Sequence, residues 1–358
     1  MVTQKDKTVA IVGGGISGLS AAYHLQVLIN QGKAPVKKYL LVEKEKRLGG
    51  TILTEAMDGF IIEGGPDCFF TEKRAALELC HKLGLQDRLL MTNEAHHHTF
   101  ILSKGKLHEL PQGFMLLAPT SISSFLKNSL ISPLGKLRMA MDLVIPAKRT
   151  DAEESLSQFV RRRLGNEVLE KIAEPLVAGV HASNPDTMSL KSTFPRFIEL
   201  EHQYGSLIRG MMQRRKQFRK SAQREGKGRH HYTMFVTLEN GLEELINTVA
   251  ANVDQNAIIT GNGVVAIEKV NKGPGQSSSG FLIKFADGSS SEVDAVILAT
   301  PSFKAAGVIE RMDGSLAADL ASIPYVSTAT VSLGYDREDV MHPLDGFGFV
   351  IPRLERRK

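Results

Sequence analysis

The pattern Gly13-x-Gly15-x-x-Gly18 stands between a short apolar run, Thr8 to Val12, and a stretch in which Leu19, Ala22, Tyr23 and Gln26 recur three and four apart. That handover predicts a buried strand, a tight glycine turn and a helix. Lys38 to Val42 reads as the next strand, so the chain opens with a right-handed βαβ unit whose strands are parallel. The three glycines have separate tasks. The first permits the turn, the second lets the backbone approach a pyrophosphate, and the third lets helix and strand pack closely. Ile16 and Ser17 then fall at the helix start, where free N–H groups face the phosphates. A plain glycine-rich turn is the structural alternative. Against it stands Glu43, which ends the second strand 25 residues after Gly18. An acid about 20 residues on accepts hydrogen bonds from an adenosine ribose. NAD and FAD both suit this pattern.

A chain of 358 residues is long enough for two or three domains, and 42% apolar with 23% charged residues is ordinary globular usage. No apolar run reaches the ~18–20 residues of a membrane helix, and Met1 to Lys7 carry no signal-peptide core. A cytoplasmic protein is expected. Cys68 and Cys80 form no Cys-x-x-Cys pair, which removes disulfide scaffolds and zinc ribbons. His96, His97 and His98 are consecutive, point to alternate faces of a strand and have no carboxylate at ligand spacing, so no metal site is expected. The net charge is +5, yet nine Lys or Arg and a single acid, Glu225, fall between Arg209 and His231. This segment reads as a solvated loop, with a docking patch for an anionic partner as the sharper alternative.

Further along, His96 to Leu102 and Lys106 to Leu110 form an expected hairpin turning at Lys104-Gly105. Pro111 to Arg209 is helical in pattern, with start signals at Asp151 to Ser155 and an apolar face of Phe159, Leu164, Val168, Leu169, Ile172 and Leu176. Tyr232 to Leu238 is the next strand, followed by a turn at Asn240-Gly241 and a helix from Leu242. Strands are expected at Ile258 to Ile267, Phe281 to Phe285, Val293 to Ala299, Thr328 to Gly334 and Gly346 to Ile351, with a linker at Gly273 to Gly280 and a turn at Asp287-Gly288. The fold class is α/β: a discontinuous Rossmann-type domain (1–92 and 230–312), a mixed-sheet domain with strands in 93–112 and 322–358, and a helical insertion (113–229) that includes the basic loop 209–231.

The combination of GGGISG (13–18), LLVEKEKRLGG (40–50) and Gly64-Gly65-Pro66-Asp67 resembles the flavin-dependent amine oxidase and protoporphyrinogen oxidase superfamily. In those flavoproteins the Arg-x-Gly-Gly turn passes beside the cofactor's phosphates and ribityl chain, an approach glycine permits. The resemblance implies FAD, held by Gly13, Gly14, Gly15, Ile16, Ser17, Gly18, Glu43, Lys44, Arg47, Gly50, Thr51, Gly65, Pro66, Asp67, Cys68 and Val264. Within the superfamily, Ser155 to Ser189 is similar to the porphyrinogen oxidases through Glu174-Pro175-Leu176 and Gly179-Val180. It departs at His181, where Tyr is usual, and at Ser183-Asn184, where Gly-Asp is usual. The similarity extends over Ser192 to Pro195, Asn240 to Leu242, Ala299-Thr300-Pro301 and Gly346 to Val350.

By that resemblance the chain oxidises coproporphyrinogen III or protoporphyrinogen IX with oxygen as acceptor, in haem biosynthesis. The flavin carries the redox chemistry, so no side chain is singled out as catalytic. Lys73 and Arg74 read either as a charged helix start or, more sharply, as partners of substrate carboxylates; Gly179, Val180 and His181 are the other expected substrate contacts, with His181 either a core or pocket-lining histidine or a base. No nucleic-acid partner is expected, while peripheral membrane contact and homo-oligomerisation stay open. The family's closing glycine-rich turn is missing after Gly348, so a C-terminally truncated chain is expected. A flavin amine oxidase is the rival enzyme, weakened by the absence of Trp and by only six Tyr for an aromatic cage. A non-enzymatic fragment that binds an acidic partner through its basic loop is the rival of another class.

Overall fold

The computed structural model describes residues 7–93, 98–110, 114–115, 118–119, 129–150, 152–181, 183–224, 232–270 and 280–355. In chain order the strands are β1 (Thr8–Val12), β2 (Lys38–Glu43), β3 (Thr54–Met57), β4 (Phe60–Glu63), β5 (Phe69–Phe70), β6 (Leu89–Met91), β7 (His98–Ser103), β8 (Lys106–Glu109), β9 (Phe114–Met115), β10 (Ala118–Pro119), β11 (Phe235–Leu238), β12 (Ile258–Thr260), β13 (Val264–Val270), β14 (Gly280–Phe285), β15 (Ser290–Val293), β16 (Ala295–Leu298) and β17 (Gly346–Val350). Helices of two turns or more are α1 (Ile16–Asn30), α2 (Arg74–Lys82), α3 (Pro133–Ala140), α4 (Leu156–Arg163), α5 (Glu174–His181), α6 (Pro195–Tyr204), α7 (Leu207–Arg224), α8 (Glu243–Ala251), α9 (Ser302–Ile309) and α10 (Gly314–Ser322). The chain divides into two compact units, Met1–Thr92 with Tyr232–Leu333, and Asn93–His231 with Gly334–Lys358.

The first unit is built on a parallel sheet in the order β12-β2-β1-β16. β1 is apolar after Thr8 because both of its faces are covered. Val9 and Ile11 pack with Leu19 and Ala22 of α1 and with Leu245, Ile246 and Val249 of α8. Ala10 packs with Val42 and with Ile283, Phe285 and Val293 of the antiparallel sheet β13-β14-β15. The order turns at β1, with β2 on one side and β16 on the other, so the carboxyl ends of β1 and β16 flank the switch point where open α/β sheets bind ligands.

Two expected strands prove to be two each. Ile258 to Ile267 divides into β12 and β13, which belong to different sheets, because the chain turns at Gly261 with φ 72°. Val293 to Ala299 divides at Asp294, whose N–H donates to Thr8 O (2.9 Å) and whose carboxylate accepts from Thr8 N (2.8 Å). The strand expected at Thr328 to Gly334 is not formed. Residues 324–336 hold no regular structure, with Val331 78% and Leu333 71% exposed. Their alternation suits a strand, but no neighbour among the described residues takes up their backbone groups. Gly346 to Ile351 does form a strand, β17, which pairs parallel with β7.

In the second unit, β7 and β8 turn through Lys104 (φ 51°) and Gly105 (φ 74°), the two left-handed residues of a type I′ hairpin. His96 and His97 lie outside the described residues, as do most of the expected linker at 273–280 and the end of the basic segment, 225–231. Ser155 starts α4 with a capping box to Gln158, as the start signals predict. Phe159, Leu164, Val168, Leu169 and Ile172 enter one core with Leu156, Val160, Val177, Phe197, Leu200 and Leu207. The basic loop is a correction. Its first sixteen residues, 209–224, belong to α7, because Leu207, Ile208 and Met211 bury one face and Ser206 Oγ accepts from Arg209 N (3.1 Å) at its start. Arg209, Arg215 and Lys216 are exposed on that helix.

Beneath this core lies a buried charge network. Arg163, fully buried, donates through Nε to Asp142 Oδ1 (2.6 Å) and through its other nitrogens to the Asp142, Ile145 and Gly205 carbonyls. Asp142 Oδ2 in turn accepts from Ser206 Oγ (2.6 Å) and Ile208 N (2.9 Å). Glu201 accepts from both terminal nitrogens of Arg162 (2.6 and 3.0 Å) and from Lys148 N. Burial pushes the Glu201 carboxyl up, but the Arg162 hydrogen bonds outweigh it and leave the group below its ordinary value. A carboxyl lowered in the folded state stabilises fully above its unfolded value, about 4.3, and loses that contribution as pH falls through the folded value. The melting-temperature advantage of the native chain over Glu201→Gln is therefore expected to be constant above about pH 5 and to shrink in more acid buffer. Thermal unfolding across that range checks it, and a pH-independent difference contradicts it.

Candidate functional site

The site is built from three glycine turns that touch in sequence at the carboxyl end of the parallel sheet. In the first, Gly13 N donates to Val42 O (2.8 Å) and adopts φ 110°. A Cβ on Gly13 would stand 2.7 Å from Ala299 O, one on Gly14 2.8 Å from Glu43 Cβ, and one on Gly18 1.8 Å from Gly13 O. These three glycines are structural necessities of the turn. Gly15 differs, because its Cβ would meet nothing nearer than Gly50 Cα at 3.9 Å. Gly15 also caps α1 without a side-chain hydrogen bond, leaving the first-turn N–H groups of Ile16, Ser17 and Gly18 without intrahelical acceptors.

The second turn is stitched to the first. Gly49 N donates to Gly14 O (2.8 Å), and Gly15 and Gly49 form an isolated bridge. Arg47 spans its own turn, its guanidinium donating to the carbonyls of Leu48, Gly50 and Ile52. Arg47 thus holds Gly50 and Thr51 in place. The third turn lies against the second, since a Cβ on Gly65 would stand 2.0 Å from Thr51 O. Gly15, Gly50, Thr51, Gly65, Pro66 and Asp67 are accessible to solvent, whereas Gly13, Gly14 and Gly18 are buried.

Glu43 closes the other end. Its Oε2 accepts from Gly14 N (2.7 Å) and its Oε1 from Glu45 N (2.9 Å), so the carboxylate is aimed by the backbone while each oxygen keeps a lone pair. Lys44 is exposed and paired with Glu45 (2.9 Å). The loop leading to Val264 comes alongside, with Gly261 N donating to Glu45 O (2.9 Å) and a Cβ on Gly263 2.9 Å from Lys44 Cβ. Cys68, half-buried, is pushed up to about 12 by burial and by the hydrogen bond and charge of Asp67. It stays a thiol at neutral pH, which suits a wall and not a nucleophile.

Lys73 and Arg74 follow the third turn, both exposed, as N-cap and first residue of α2. Gly179, Val180 and His181 end α5 in the second unit, where a Cβ on Gly179 would meet Val350 Cγ1 at 3.3 Å. The side chains of Val180 and His181 lie outside the described residues. Glu174, which opens α5, is buried and accepts from Arg353 N (3.3 Å). Among the described residues no cluster of three or more His, Cys, Asp or Glu is placed to hold a metal, and no helix is long and apolar enough to cross a membrane.

An accessible glycine at a helix N-terminus, an acid at the end of the second strand and a parallel sheet flanked by helices make this an α/β fold. The chain belongs to the flavin containing amine oxidoreductase family, whose model matches residues 16–355. It is 35% identical to the coproporphyrinogen III oxidase of Bacillus subtilis (strain 168) over 97% of this chain and 70% of that one. To the coproporphyrinogen III oxidase of Staphylococcus aureus it is 33% identical, over 97% and 71%. A solved structure assigned as a protoporphyrinogen oxidase from Exiguobacterium sp. 255-15 matches with TM-score 0.68 and 30% identity, covering 87% of this chain and 63% of that one. The chain therefore spans somewhat under two thirds of that solved chain and about seven tenths of the two curated relatives.

FAD is the cofactor this family implies, and the residues fit it. The open position at Gly15 leaves room for a diphosphate, and the Glu43 carboxylate, held by Gly14 N and Glu45 N, keeps lone pairs for hydroxyl donors. Sequence reasoning did not find Thr300 and Ser302. Thr300 Cγ2 stands 2.9 Å from the place a Cβ would occupy on Gly13, and Ser302 N donates to Tyr325 Oη (3.0 Å).

Proposed function

We propose that this chain holds FAD in a Rossmann-type domain formed by 1–92 and 230–312. With it the chain oxidises a porphyrinogen to the porphyrin, coproporphyrinogen III in preference to protoporphyrinogen IX, passing electrons to oxygen in haem biosynthesis. The observation that carries the reading is the run of three interlocked turns, with Gly15 open to a ligand, in a chain 35% identical to a coproporphyrinogen III oxidase. The bound flavin supplies the redox chemistry by taking up the substrate's electrons. The chain's own residues bind and orient. Gly15, Gly50 and Gly65 let the backbone approach the cofactor, Glu43 receives the ribose hydroxyls, and Val264 borders the adenine. The helical region 113–229 supplies Gly179, Val180 and His181 to the substrate.

Lys73 and Arg74 are the residues assigned to substrate carboxylates. α2 has no acid in its first turn and no side-chain cap, so two cations sit at the positive end of a helix. That placement disfavours folding and favours an anionic ligand. Aerobic incubation of the FAD-loaded chain with each porphyrinogen, read by porphyrin fluorescence, tests the activity. Replacing Lys73 and Arg74 together by Ala is expected to raise KM for coproporphyrinogen III by about tenfold or more, with a smaller effect on the dicarboxylate. Turnover of an amine with none of either porphyrinogen overturns the reading.

A further inference from the structure

α7 carries seven Lys or Arg and no acid in its 18 residues. Its start is fixed to the core of the second unit. Leu207, Ile208 and Met211 are buried there, and a Cβ on Gly210 would stand 2.8 Å from Leu200 Cδ2 of α6. At 3.6 residues per turn these four positions share one side of the helix. Arg209, Lys216, Lys220 and Arg224 recur seven, four and four apart, so their positions form a stripe on the side away from the core, about 22 Å long. Among the described residues, Arg209 and Lys216, both exposed, have no acidic partner. The excess of cations between Arg209 and His231 is larger than the net charge of +5, so the remainder of the chain is net acidic. Attraction for an anion is therefore concentrated on this one segment.

A helix that keeps its apolar side in the protein core cannot insert that side into a bilayer, so it acts on its surroundings through charge. We propose that α7 docks this protein on an anionic lipid surface, with the stripe of Arg209, Lys216, Lys220 and Arg224 against the headgroups. Three observations favour lipid over another polyanion. The stripe is straight and uninterrupted by acid, and headgroups diffuse to meet it, whereas an acidic protein must bring fixed carboxylates in matching register. Met212, 37% exposed, stands three residues after Arg209 and four before Lys216, and an apolar side chain among cations suits the boundary of headgroup and acyl chain. α7 holds no Tyr or Trp and a single Phe, which leaves little to stack on nucleic-acid bases. Cations of a polybasic segment contribute one by one near such a surface, and salt screens them. The proposal is independent of the cofactor.

Co-sedimentation of the 358-residue chain with vesicles tests it, using phosphatidylcholine alone and phosphatidylcholine with an equal part of phosphatidylglycerol. Binding is expected to the anionic vesicles and not to the neutral ones, and to weaken at least about tenfold as salt rises from about 0.1 M to about 0.5 M. The combined variant Arg209→Gln, Lys216→Gln, Lys220→Gln and Arg224→Gln is expected to lower the vesicle partition coefficient at least about a hundredfold. Its melting temperature should stay that of the native chain, because no core residue is changed. Arg209→Lys with Arg224→Lys should keep the partition coefficient within about threefold, since charge and not guanidinium geometry is read. Equal binding to both kinds of vesicle, binding to neither, or binding that survives the four Gln substitutions overturns the proposal. Tighter binding of a DNA duplex or of poly-glutamate than of anionic vesicles at equal charge, lost in the same variant, overturns the assignment to lipid.

Discussion

Gly15→Val is expected to give a folded protein that has lost FAD. The space around Gly15 admits a Cβ, with Gly50 Cα at 3.9 Å as its nearest neighbour, so the turn survives. The added side chain then stands where the diphosphate approaches the first turn of α1, and affinity should fall by at least about a hundredfold. Gly18→Ala is the contrast. A Cβ there lies 1.8 Å from Gly13 O, so strand and helix must separate and stability falls together with binding. Circular-dichroism melts beside FAD titrations distinguish the two. Stoichiometric flavin on Gly15→Val defeats the assignment of this turn.

Arg163→Met is expected to produce the largest loss of stability in the second unit. It leaves Asp142 fully buried with its main partner gone, and it strips donors from the Ile145 and Gly205 carbonyls. Removing one side of a buried pair costs roughly 3–5 kcal/mol. The double variant Arg163→Met with Asp142→Leu should recover part of that loss, because no unpaired charge then remains. Urea unfolding measures both. A single variant as stable as the native chain removes the network from the account of the fold.

The parts legible in the sequence are those set by local rules. Thr8 to Val12, the glycine turn and α1 form one unit of strand, turn and helix, and Glu43 falls at the end of β2. Lys104-Gly105, Asn240-Gly241 and the Ser155–Gln158 capping box also follow from short-range chemistry. Sheet membership does not. The runs through Gly261 and Asp294 are continuous in pattern, and only tertiary pairing decides that the chain changes sheets there. α7 is obscured by its charges, although Leu207, Ile208 and Met211 give the buried face at helical spacing just before the basic run. Arg163 hides among three arginines, yet it alone lies four residues after Phe159 and three after Val160, on the apolar side of α4.

The central claim is that three interlocked glycine turns hold a dinucleotide flavin. Equilibrium dialysis of the purified 358-residue chain against FAD, read by the absorption spectrum of the retained flavin, tests it most directly. The account predicts about one FAD per chain, displaced by ADP and absent from Gly15→Val. Retention of no flavin, or retention that ADP and the Gly15 substitution leave untouched, contradicts it.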